Sequence, residues 1–83
     1  LYPRLLRPYG QRFSHPRSGI GYNAEQVDDL LDQIAAFFDD REDLAADDVR
    51  HALFKPARGK KAYAMGPVDA YLGRAVEILL SVN

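Results

Sequence analysis

The chain is predicted to be all-α, a small helical domain of two long amphipathic helices plus a short one. Three observations predict it: apolar residues recur at helical spacing in two segments, one unit occurs twice at a fixed offset, and no alternating strand pattern is present. With 83 residues there is room for a single domain, 1–83, whose modest core leaves no place for a deep catalytic cleft. An apolar share of 47% beside 28% charge is the composition of a chain that folds rather than of a disordered one. Cysteine is absent, which excludes disulfides and thiolate metal sites. No apolar run approaches the roughly 20 residues that span a bilayer and no signal peptide is legible, so a cytoplasmic protein, peripheral to a membrane at most, is expected. Because the first residue is Leu1 rather than Met, a piece of a longer protein is expected.

Asn23 is a helix cap, and Gln26, three residues on, completes a capping box; together they predict a helix over 24–39. Tyr22 and Val27 hold the two positions of a hydrophobic staple, which sets the angle of the incoming chain. Val27, Leu30, Leu31, Ile34, Phe37 and Phe38 form the apolar stripe, and acidic residues take the other faces. Asp39, Asp40, Glu42 and Asp43 read as a solvated connector, 39–44, because they lack the alternating donors and central Gly of a calcium loop. Residues 44–53 are predicted as a short helix with Asp47 and Asp48 near its positive end and Val49, Ala52 and Leu53 apolar, ended by Phe54 as a plug. Tyr63 and Val68 repeat the staple ahead of a second long helix over 66–81. There Ala64 replaces the cap, Pro67 sits in a first turn where its missing donor costs nothing, and Val68, Tyr71, Leu72, Ala75, Leu79 and Val82 make the stripe. Loops 14–21 and 55–62 carry Pro16, Gly19, Gly21, Pro56 and Gly59, which is turn chemistry.

The two long helices belong to a repeat. Laid over one another at an offset of 41, residues 13–38 and 54–79 match Phe13 to Phe54, Arg17 to Arg58, Tyr22 to Tyr63, Val27 to Val68, Asp28 to Asp69 and Leu31 to Leu72. The first copy spans 13–40 and the second 44–82. The copies are expected to pack on one another as an internal pseudo-dimer or to pair between chains as a helical homodimer, through Leu30, Leu31, Ile34, Phe37, Phe38, Tyr71, Leu72 and Leu79. Charge is sorted along the chain: +4 over 1–22, −9 over 23–48, +5 over 49–68 and −1 over 69–83. Such blocks suit solvated faces, and also head-to-tail contacts between copies of the chain or contacts with anionic surfaces.

The stretch FSHPRSGIGYNAEQVDDLL, from Phe13 to Leu31, resembles the amino-terminal domain of DivIVA, the bacterial cell-division and polar-growth scaffold: a Phe, a basic turn, Gly-Tyr, then Val-Asp and an apolar pair. The second copy is similar, LAADDVRHALF matching the short leading helix and ending on its Phe. It departs where Ala62 stands for Gly and where Ala45 and Ala46 stand for Thr-Pro. The first copy departs in its leading helix, which Pro3 and Pro8 interrupt, and the family's long coiled coil is absent from these 83 residues. The resemblance implies a scaffold that dimerises through its helices and presents the turn before Gly-Tyr to a membrane, where an apolar residue inserts and basic neighbours meet anionic lipid. Mapped by position, that function falls to Arg17 and Ile20 in the first turn and to Lys55, Arg58, Lys60 and Lys61 in the second.

Other readings are weaker. Arg4, Arg7, Arg12 and Arg17 interleaved with Tyr2, Tyr9 and Phe13 suit phosphate contact and base stacking, but a pI near 6.1 is low for a nucleic-acid binder. His15 and His51 lie in no metal spacing, so neither catalysis, nor a metal, nor a cofactor is expected. Asp28 and Asp69 fall in the first two turns of their helices, where the dipole or a salt bridge to Arg17 and Arg58 accounts for them.

Overall fold

The computed structural model of the chain describes residues 2–41 and 43–82; Glu42 of the expected connector, and the side chains of Tyr2 and Val82, lie outside that description. Along the chain run α1 (Tyr2–Leu5), β1 (Ile20–Asn23), α2 (Ala24–Phe38), α3 (Ala46–Arg50), β2 (Pro56–Arg58), a 3-10 turn (Gly59–Lys61), β3 (Ala62–Tyr63) and α4 (Met65–Val82). The two long helices stand within a residue of the bounds expected, and the short helix is five residues rather than ten. The expected all-α class is wrong. The segments read as loops form an antiparallel sheet of order β2-β1-β3, which makes the molecule a mixed α/β fold. Strands of two to four residues are too short to show alternation, and their pairing is between copies, where local pattern carries no signal.

The central strand is where the copies meet. Tyr22 lies opposite Tyr63, its own counterpart in the repeat, and around that pair the contacts occur in exchanged sets. Phe13 packs on Tyr63 with ring centroids 5.2 Å apart, and Phe54 packs on Tyr22 at the same distance. The Ala64 N–H donates to the Ser14 carbonyl at 2.8 Å, and the Asn23 N–H donates to the Lys55 carbonyl at 2.9 Å. Each copy thus completes its partner rather than itself. β2 and β3 both run antiparallel to β1 on its opposite sides, so the 3-10 turn between them crosses β1 and packs against it. β3 leaves no room at Gly21, where a methyl group would run into the Tyr63 carbonyl.

Asn23 caps α2, its side-chain oxygen accepting from the Gln26 N–H at 3.0 Å. The return half of the capping box is spent elsewhere: the Gln26 side chain accepts from the Lys55 N–H at 2.7 Å and so ties the second copy to the first helix. At the other end, Asp40 N–H bonds the Phe37 carbonyl and Arg41 N–H the Ala36 carbonyl, with Asp40 at φ 58°. This is a Schellman ending built on a residue other than glycine. Ala45 has no oxygen with which to cap α3, but the Asp48 carboxylate accepts its N–H at 2.9 Å.

One core joins both copies. Val27, Leu30, Leu31 and Ile34 of α2 share it with Val68, Tyr71, Ala75 and Leu79 of α4, with Phe13, Leu44, Val49 and Tyr63 between them. Phe37, Phe38 and Leu72 are partly buried against it. The apolar residues assigned to helix packing or self-association are therefore consumed largely within the chain.

Candidate functional site

Each turn expected to meet an anionic surface brings one part of a site, and the sheet joins the parts. Ile20, at the start of β1, is the cross-strand partner of Arg58, at the end of β2. Side chains so paired share a face with Cβ atoms about 5 Å apart. The apolar tip of the first copy is thereby set beside the basic turn of the second. Ile20 is 47% exposed, and Arg17, Arg58, Lys60 and Lys61 are exposed as well. Gly19 and Gly59 adopt φ 77° and 61°, the left-handed conformation that lets both turns be tight. Neither 14–21 nor 55–63 contains an Asp or Glu, and none of the basic residues there forms an ion pair with a described residue. Lys61 leads into Ala62 opposite Asn23, toward the other end of β1, and Lys55 lies at that end as well. The Lys55 backbone is held by Asn23 and Gln26 at the far end of β2, roughly 10 Å along the strand from Arg58 at 3.3 Å per residue.

Asp28 and Asp69, assigned to salt bridges with Arg17 and Arg58, take other partners. Asp28 is buried and accepts the Tyr63 hydroxyl at 2.7 Å and the Gly10 N–H at 2.9 Å. Its cation is Arg12, 3.7 Å away and equally buried, which the periodicity of the sequence did not single out from its neighbours. Arg12 also donates to the carbonyls of Asp28, Leu5 and Arg7 and to the Asp32 carboxylate at 2.9 Å, so its charge is fully bonded. Tyr9 donates its hydroxyl to the other Asp32 oxygen. Asp69 is exposed and accepts the Tyr22 hydroxyl at 2.6 Å. Burial, and then the hydrogen bond to Asp28, push the Tyr63 hydroxyl up to about 12, while the bond to Asp69 raises Tyr22.

The candidates for nucleic-acid contact are bound up in the same structure. Arg12 and Phe13 are buried, and Arg4 lies over the rings of Phe13 and Tyr71 at 4.6 and 5.9 Å. His15 donates its Nδ1–H to the Ala62 carbonyl, 2.7 Å away, and stacks on Tyr63, whereas His51 ends α3 in solvent. Among the described residues no group of three or more His, Asp or Glu is placed to hold a metal, and no helix is long and apolar enough to cross a membrane. Comparison of the chain with protein-family models, with curated proteins and with solved structures returns no match in any of the three.

Proposed function

We propose a non-catalytic interaction module that attaches at the periphery of an anionic membrane surface through its two joined turns, as the resemblance to DivIVA-type domains implies. The observation that carries this reading is the pairing of Ile20 with Arg58, which sets one exposed aliphatic side chain beside a basic one, on two turns that also carry exposed Arg17, Lys60 and Lys61 and no carboxylate. Each such cation near an anionic leaflet contributes about 1 kcal/mol. Four of them correspond to about millimolar affinity, and insertion of Ile20 adds a further 1 to 2 kcal/mol or so. Attachment is therefore weak, reversible and salt-sensitive, and a scaffold would strengthen it by presenting several copies at once.

Sedimentation with vesicles of equal parts phosphatidylglycerol and phosphatidylcholine tests this. Pelleting is expected at low salt, its loss on double charge reversal at Lys60 and Lys61, and a weaker but equally salt-dependent interaction for Ile20→Ser. Equal pelleting of wild type and the charge-reversed protein would sink the membrane reading and leave a protein–protein module. Mass measured across a dilution series addresses self-association separately, and a monomer at every concentration removes the scaffold.

A further inference from the structure

The two copies build the same slot and fill only one of them. In the first, Tyr9, Gly10 and Arg12 bond Asp28 and Asp32 of α2, and the Arg12 guanidinium lies against the helix, bonded to the Asp28 carbonyl at 3.0 Å and the Asp32 carboxylate at 2.9 Å. At the repeat offset, the corresponding walls are Val49, Ala52 and Phe54 on one side and Asp69, Leu72 and Val76 on the other. Between them lies an open cavity of about 350 Å³. The residue in the place of Arg12 is Leu53, which is 92% exposed and leaves the cavity unfilled.

The carboxylates differ in the same sense. Asp28 has a tyrosine hydroxyl, a backbone N–H and a guanidinium, whereas Asp69 has, among the described residues, the Tyr22 hydroxyl alone. The N–H that corresponds to Gly10, that of His51, is turned to the Asp47 carbonyl at 3.0 Å. Asp69 thus offers acceptor positions at the mouth of a cavity with aliphatic and aromatic walls, which suits a side chain with an apolar stem and a planar cationic end. Arg50, the cation on the rim, is engaged with Asp47 at 3.0 Å.

We propose that this cavity docks an arginine side chain presented by a partner polypeptide, in the manner in which the first copy holds Arg12. Gly73 stands where Asp32 supplies a second carboxylate, so the external arginine meets one carboxylate and binds reversibly.

The test is a backbone-amide NMR titration of the whole chain with a blocked Ala-Arg-Ala tripeptide and its citrulline counterpart, which keeps the shape and removes the charge. Saturable shifts are expected at Asp69, Leu72 and Val76, with the arginine peptide about tenfold tighter, the discrimination of one charge-assisted hydrogen bond. Asp69→Asn, whose unfolding temperature checks that it folds, should bring the two peptides level. Leu53→Arg should place a guanidinium in the slot from within, abolish peptide binding and raise the unfolding temperature. Equal binding of both peptides, or wild-type binding by Leu53→Arg, overturns the proposal. So do shifts of the same amides on concentrating the protein alone that Asp69→Asn leaves unchanged, since they would put an apolar surface of a second copy in the cavity.

Discussion

Tyr63 and Tyr22 are the same residue of the repeat and face one another in the sheet, yet one hydroxyl is enclosed on Asp28 beside Arg12 and the other meets Asp69 at the surface. The bond lengths are nearly equal, so geometry does not separate the two pairs. Solvent does. A carboxylate removed from water depends on every partner it has, while an exposed one regains hydration when a partner is lost.

The largest expected effect follows directly. Asp28→Ala removes the buried one of the two carboxylates beside Arg12, leaving Asp32 at 2.9 Å, and strands the Tyr63 hydroxyl and the Gly10 N–H; it should cost about 2 to 4 kcal/mol, whereas Asp69→Ala should cost about 1 kcal/mol or less. Urea unfolding of the two variants measures the difference, and equal losses would break the comparison. A smaller effect is expected in alkali. A tyrosine whose folded value is raised from 10 to about 12 contributes stability that is complete below pH 10 and is lost as pH rises through 12, on the order of 2 kcal/mol for Tyr63. Tyr71, raised by burial to about 12, adds to the same slope. Tyr63→Phe should lower stability at neutral pH, by removing one donor from Asp28 and the acceptor of the Arg12 N–H, and flatten the decline between pH 10 and 12; Tyr22→Phe should change that slope less. The smallest effect concerns the end of α2 that leads from one copy to the next. Asp40 holds φ 58°, so Asp40→Gly should stabilise the chain by about 0.5 to 1 kcal/mol, read as a rise in unfolding temperature.

Much of this arrangement is legible in residue order. The cap at Asn23, the apolar stripes of α2 and α4 and the offset of 41 all follow from spacing, because helices record their environment every third or fourth residue. The sheet is not legible: Ile20-Gly21 and Pro-Ala-Arg read as turns and Tyr22-Asn23 as the entry to a helix, and they become strands only against partners in the other copy. Arg12 is hidden for a similar reason. The segment containing Pro3 and Pro8 folds back over α2, so the cation that meets Asp28 comes from before the repeat rather than from the basic turn within it. Of the candidate surface residues, Ile20 and Arg58 meet through their cross-strand register, while Lys60 and Lys61 follow on the turn that crosses β1 toward its other end.

The exchange of contacts across Tyr22 and Tyr63 has a consequence for how the halves can vary. Joined by a short connector, each half meets the other at an effective concentration of about millimolar or more, so dilution does not part them. A pair of identical chains carries every substitution twice; here Leu53 replaces arginine once, and Ala62 replaces glycine once, beside a Gly21 that keeps the space its methyl group uses. Tethering frees one half to hold the fold while the other is altered.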